Sequence, residues 1–223
     1  ADSVLRTSLT YGHLPGVGGK AVLIFGSASA SVHMIDAGTG AALWQTSLKR
    51  FPESIITGTP QLVGDRVYAS ASQFEIMVGA NPAHECCKAS GAVASLDALT
   101  GEIVWLTPTL PPAKPVRDRG DGQMIWGPSG APVWTSPAID LDRGLLYVGT
   151  GEANSEPAHE HTDAILALDL KTGAIVWAFQ ASANDIFLVG CWRNNTSGNC
   201  PPAYSINRDV DFGASVVIGK RQD

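Results

Sequence analysis

Apolar positions in this chain come in short runs with polar breaks between them. Val32 to Ile35, Val93 to Leu96 and Ile165 to Leu168 are each followed by a second apolar stretch: Ala41 to Trp44, Ile103 to Trp105 and Ile175 to Trp177. Runs this short, bounded by Asp, Thr and Gly, predict paired β-strands rather than helices. The break is the same phrase each time, Asp-x-x-Thr-Gly-x-x-x-Trp, at Asp36/Thr39/Gly40/Trp44, Asp97/Thr100/Gly101/Trp105 and Asp169/Thr172/Gly173/Trp177. An Asp side chain bonds the backbone two residues on, and Gly takes the positive φ that a Cβ penalises, so the phrase predicts a hairpin turn. The Trp then falls at a fixed place on the last strand, where a large flat side chain fills the gap to the next sheet.

A second phrase follows each Trp. Thr59-Pro60 leads into Val67-Tyr68, Ser136-Pro137 leads into Leu146-Tyr147-Val148, and Gly213-Ala214-Ser215-Val216-Val217 reads as the start of another copy. One unit is therefore a four-stranded antiparallel sheet, the pattern of a β-propeller blade. The expected fold is all-β: a partial propeller over 1–223, with blade ends near Trp44, Trp105 and Trp177 and a fourth blade begun near 213. A closed propeller has roughly four to eight blades. The last apolar run, Val216 to Lys220, stops inside an apparent strand pair, so the chain reads as a fragment of a longer one.

Composition narrows the function. With 24 Gly, 14 Pro and 16% charged residues, few long polar helices can be built. A net charge of −6 without a basic run argues against a nucleic-acid partner, and no apolar stretch is long enough to span a membrane.

The Asp-to-Asp spacings are 61 and then 72 residues, against about 40–50 for a four-stranded blade. The surplus falls in Gln73 to Ser90, Leu106 to Pro132 and Ala181 to Asp211. Long loops on a repetitive scaffold carry binding groups. Two of these insertions hold the four cysteines, Cys86-Cys87 and Cys191/Cys200, which point to an oxidising compartment. Cys191 and Cys200 bracket a loop that a disulfide would close. Cys86 and Cys87 are adjacent, so a bridge between them is a vicinal one; two free thiols are the alternative for either pair. His159-Glu160-His161 reads as an exposed loop rather than a metal site, and Asn194 begins a glycosylation sequon relevant only to a eukaryotic secreted chain.

The docking phrases resemble the tryptophan-docking repeats of quinoproteins that bind pyrroloquinoline quinone (PQQ). Three stretches resemble the polyvinyl alcohol dehydrogenase branch more closely: Glu85-Cys86-Cys87 through Trp105; Trp126-Gly127-Pro128-Ser129-Gly130 through Pro137; and Asn199-Cys200-Pro201 with Asp209-Val210-Asp211-Phe212-Gly213. The resemblance implies an eight-bladed propeller holding PQQ and Ca²⁺. It implies oxidation of an alcohol, including a polymeric one, with electrons passed to cytochrome c, in the periplasm or outside the cell. No Cys-x-x-Cys-His occurs, so any haem c domain would lie outside this sequence.

Site residues carry over as follows. Trp134, eighteen positions before Glu152, matches the Trp on which the PQQ ring stacks. Glu152, after Gly149-Thr150-Gly151, stands where methanol dehydrogenases place an Asn that binds Ca²⁺, and Glu85 lies near a second ligand position. Cys86 and Cys87 resemble the vicinal pair that caps the ring. In the stretch that holds the family's catalytic Asp, Asp185 matches the first Asp and Leu188 stands in place of the catalytic one. Asp185 is the expected general base, with Asp211 in reserve. Either one also fits a turn residue, and each of the two Glu fits a solvated loop carboxylate. Two other functions remain open: a cofactor-free propeller scaffold that binds proteins, and a degenerate quinoprotein that has lost its base at Leu188.

Overall fold

The computed structural model describes residues 4–16, 18–191, 197–201 and 209–219. The sequon at Asn194 and the end of the last apolar run at Lys220 lie outside the described residues. The chain is built of antiparallel sheets. The first comprises β1 (Thr10–His13), β2 (Ala21–Gly26), β3 (Ser31–Asp36) and β4 (Ala42–Ser47), paired in chain order. The second comprises β5 (Ser54–Ile55), β6 (Gln61–Val63), β7 (Arg66–Gln73), β8 (Ala92–Asp97) and β9 (Ile103–Pro108), with the short helix α1 (Glu75–Val78) between β7 and β8. The Leu106–Pro132 insertion forms a hairpin, β10 (Lys114–Asp118) and β11 (Met124–Gly127), and then β12 (Ser129–Gly130). A further four-stranded sheet, docked third in the series, comprises β13 (Ala138–Asp140), β14 (Leu145–Gly149), β16 (Ala164–Asp169) and β17 (Ile175–Gln180). Between β14 and β16, β15 (Ala153–Ser155) pairs back to β12.

The docking phrase behaves as its chemistry dictates. Asp36, Asp97 and Asp169 each accept, at Oδ1, the N–H groups two and three residues on, at 2.8–3.0 Å. Gly40, Gly101 and Gly173 have positive φ. A second demand falls on the latter two glycines. A Cβ on Gly101 would come within 2.7 Å of the Trp44 ring, and one on Gly173 within 2.5 Å of the Trp105 ring. Each Trp therefore lies flat on the glycine of the next unit's turn. Trp44 Nε1 donates to Ala98 O (3.0 Å) and Trp105 Nε1 to Leu170 O (3.1 Å), so sheet docks to sheet by the same hook.

A second tie runs along the opposite ends of the strands. Ser8 N–H donates to Thr59 Oγ1 (3.1 Å), Thr59 N–H to Ser136 Oγ (2.9 Å), and Ser136 N–H to Ser215 Oγ (3.1 Å). These four residues hold equivalent places in successive units. Residues 213–219, expected to open a fourth blade, form no strand; Ser215 nonetheless takes the next place in this series. The apolar core lies between sheets: Val22, Ile24, Val32 and Met34 of the first pack with Val67, Ala69, Ala94 and Leu96 of the second. Tyr68 and Val93 in turn pack with Leu146, Val148, Leu166 and Leu168 of the third.

Candidate active site

The segment that links β14 to β15 is the base of the site. Gly149-Thr150-Gly151 presents bare backbone, and the segment 209–213 lies directly on it. A Cβ on Gly149 would meet Phe212 at 2.5 Å, and one on Gly151 would meet Asp211 Oδ1 at the same distance. Asp211 Oδ1 accepts the Glu152 N–H (3.0 Å), and Phe212 N–H donates to Thr150 O (3.4 Å). Two motifs about sixty residues apart in sequence thus meet because glycine leaves room for them.

The result is a cluster of carboxylates. Oxygens of Glu152, Asp209 and Asp211 lie within 4.8 Å of one another. Glu152 is fully buried; its Oε1 accepts Asn154 Nδ2 (3.1 Å), while its Oε2 has no hydrogen-bond partner. Burial, reinforced by Asp211, raises the Glu152 carboxyl well above its ordinary range. Asp163, also fully buried, has neither oxygen hydrogen-bonded. Burial first, then the charges of Asp185, Asp211 and Asp209, push its pKa up to about 8. Asp185 is buried and accepts the Val210 N–H at Oδ2 (3.0 Å), which pins the Asp209-Val210-Asp211 segment from beneath. Glu152, Asp209 and Asp211 each offer an oxygen to one place, with Glu152 Oε2 unpaired, so this group of residues could hold a cation.

Beside the cluster lies a cavity of about 560 Å³, lined by Trp134, Asp211, Phe74, Arg6, Ile55, Thr57 and Gly213. Trp134 is half-buried, and its Nε1 has no partner. Its carbonyl accepts Thr57 Oγ1 (2.9 Å), which ties the segment between β12 and β13 to the preceding unit.

The structure therefore brings together Trp134, Glu152, Asp185 and Asp211 of the residues expected from sequence. Asp211 faces the cavity, whereas Asp185 supports the segment that carries it. Leu188, in the place expected for a base, is a fully buried core residue packed against Cys86 and Cys87. Glu85 stands apart from the cluster: it is exposed, paired with Lys88 Nζ (2.6 Å), and accepts Trp126 Nε1 (2.9 Å). Lys88 holds its carboxyl below the usual range, and the ligand role expected for it finds no geometric support. Cys86 and Cys87 form the vicinal disulfide, and Cys191–Cys200 the second bridge. The vicinal pair is fully buried and is not among the residues that line the Trp134 cavity. His161 Nδ1 lies 2.7 Å from Thr109 O, and His159 Nδ1 accepts the His161 N–H, which leaves the His pair engaged locally.

Sequence reasoning did not single out Asp163 or Asp209 as site residues. Asp209 sits in the Asp-Val-Asp motif, where its pairing with Asp211 was the available signal. Asp163 carries no comparable mark beyond being an acid at the head of an apolar strand.

A family profile for PQQ proteins, described as glucose/ethanol/alcohol dehydrogenase, β-propeller domain, matches residues 55–189. Polyvinylalcohol dehydrogenases of Sphingopyxis sp. (strain 113P3) and a Pseudomonas sp. are 33% identical to the chain over 226 aligned residues, covering all of this chain and 34% of each relative. The chain thus spans about a third of the length of these relatives. The solved quinohemoprotein alcohol dehydrogenase ADHIIG of Pseudomonas putida HK5 superposes with a TM-score of 0.56 at 24% identity, over 72% of this chain and 25% of that one. That superposition agrees with the propeller architecture. On the match to residues 55–189, the chain belongs to the PQQ-dependent glucose/ethanol/alcohol dehydrogenase β-propeller family.

Proposed function

We propose that this chain is part of a PQQ- and Ca²⁺-dependent dehydrogenase that oxidises secondary alcohols. The observation that carries the reading is the convergence of Glu152, Asp209 and Asp211 beside a cavity floored by Trp134.

The residues fit both groups. The donor set is all oxygen, the preference of a hard cation such as Ca²⁺, and Glu152 Oε2 is a buried oxygen in want of a partner. The cavity volume lies in the range of small-molecule sites, with aromatic surface from Trp134 and Phe74 and a guanidinium from Arg6 to meet an anionic substituent. When bound, PQQ supplies the two-electron acceptor and the cation makes its carbonyl more electrophilic.

The chain's own residues do the rest. Trp134 gives the ring a flat floor. Asp211 acts as the general base: its Oδ1 is held by the Glu152 N–H, and it accepts the hydroxyl proton as hydride leaves the carbinol carbon, giving the ketone. Asp185 positions that base through the Val210 N–H. On this reading the carboxylate missing at Leu188 is delivered by Asp211 at the end of the Ala181–Asp211 insertion, and the quinoprotein is not degenerate. A protein-binding scaffold would have no use for a buried Glu152 whose Oε2 is unpaired beside two further carboxylates. A polymeric secondary alcohol is the substrate suggested by the names of the 33%-identical relatives, with cytochrome c as electron acceptor from the family resemblance. Two disulfides favour a periplasmic or secreted location.

The test is an absorbance and fluorescence titration of the full-length protein with PQQ, with and without Ca²⁺, coupled to reduction of an artificial acceptor by a secondary alcohol. Ca²⁺-dependent binding with turnover is expected. Absence of binding in both conditions would move the reading to a scaffold.

A further inference from the structure

Three polar side chains sit in the core next to the site with no part in the reading above: Gln73 at the end of β7, Glu75 at the start of α1, and Asn154 on β15. They are 3%, 2% and 0% exposed. Buried polar groups are retained where every partner is met, and here each partner fixes the next.

The direction is set at the far end. Gln73 Oε1 accepts the Glu75 backbone N–H, so the Gln73 amide must turn its NH₂ outward, where it donates to Asn154 Oδ1. Asn154 has then only its own NH₂ left to give. One N–H goes to Glu152 Oε1 (3.1 Å), the other to Phe187 O (3.3 Å). An Asn turned the other way would present oxygen to a carboxylate. The relay therefore fastens one oxygen of Glu152 and leaves Oε2 without a hydrogen bond, in a carboxylate that shares one place with Asp209 and Asp211. It also grips the 185–188 segment, which holds Asp209 and Asp211 through the Asp185–Val210 bond. At the other end, the Glu75 carboxylate accepts the backbone N–H groups of Lys88 (2.9 Å) and Ala89 (2.7 Å), and lies 2.9 Å from His84 Nε2. Those N–H groups immediately follow the vicinal disulfide.

We propose that Asn154 and Gln73 are positioning residues for the cation site, and that Glu75 anchors their relay to the segment behind Cys86–Cys87. The proposal rests on Glu152 being a cation ligand. Groups that orient metal ligands in this way typically carry about 10–100-fold in affinity.

The experiment measures cation binding itself, in the full-length protein without PQQ, by calorimetry with Ca²⁺ and by Tb³⁺ luminescence. Asn154→Leu keeps the volume and removes both donors; about 10–100-fold weaker Ca²⁺ binding is expected, with a shorter Tb³⁺ lifetime as water replaces a displaced carboxylate oxygen. Gln73→Met leaves Asn154 in place but free to turn, and a smaller loss in the same direction is expected. Ser129→Ala breaks a buried bond to Ser155 outside the relay; it should lower the melting temperature and leave Ca²⁺ affinity unchanged. Glu152→Gln tests the site: binding equal to wild type there would remove the metal reading. Loss in Glu152→Gln with wild-type binding in Asn154→Leu and Gln73→Met would overturn the positioning role alone. Equal weakening by Ser129→Ala would reduce it to general loosening. If Asn154→Leu does not fold, Gln73→Met against Ser129→Ala decides the matter.

Discussion

The chain uses carboxylates in two opposite ways. In the docking turns, Asp36, Asp97 and Asp169 are fed by backbone N–H groups from the next few residues, and all three are held below their ordinary range; Asp36, which also pairs with Lys20, falls to about 2. In the cluster, Glu152 and Asp163 are buried, keep oxygens without partners, and titrate high. The first group completes its hydrogen bonds within one turn and needs nothing more. The second is incomplete without a proton or a cation. The difference separates what holds the frame from what the frame was built to hold.

The comparison can be broken most sharply at the base. Asp211→Asn in the full-length protein, assayed at Ca²⁺ concentrations that saturate the variant, should lower kcat by about 10²–10⁴-fold, as expected for loss of a general base; steady-state kinetics beside calorimetry would show it, with some loss of Ca²⁺ affinity because Asp211 also belongs to the donor set. An equal loss from Asp185→Asn, with Asp211→Asn active, would restore the order expected from sequence. Next comes the frame. Trp105→Ala removes a ring that lies on Gly173 and hooks Leu170 O, and should cost about 3 kcal/mol in denaturant unfolding. Asp97→Ala leaves two turn N–H groups to solvent and should lower the melting temperature less than Trp105→Ala does.

The smallest effect is in pH. Asp163 is raised from 3.8 to about 8 in the folded protein. Its contribution is fully present below the unfolded value and is lost as pH rises through the folded value, because the unfolded chain has already released the proton. Without cation, the melting temperature should therefore fall between pH 4 and about pH 8 for this group. Added Ca²⁺ should raise it more at the alkaline end. Asp163→Asn should flatten both trends.

What was legible in the sequence follows the same division. The three docking turns could be read because donor and acceptor are two or three residues apart and recur. Glu152 was marked by the glycines before it. Asp211, the proposed base, carries no such mark: it meets Glu152 only through the fold, whereas Asp185 stands in the stretch that matches the family's pattern. Asp163 was invisible, since its meaning arises only when β16 brings it beside 209–211. The helix α1 and the β10–β11 hairpin lie in insertions whose apolar pattern is too short to show a period. The strand expected at 213–217 shows that an apolar run does not form a strand where no ladder partner is present among the described residues.

The hydroxyl ties from Ser8 to Thr59, Ser136 and Ser215 all reach forward, by 51, 77 and 79 residues. The tryptophan hooks do the same, by 54 and 65. On the ribosome, each sheet would thus emerge with its last bonds unmade and wait for its successor to close them. Synthesis speed through the insertions, where the waiting is longest, would then govern how long apolar faces are offered to chaperones. Slow codons there would favour misfolding, and slow codons just after a docking Trp would do little.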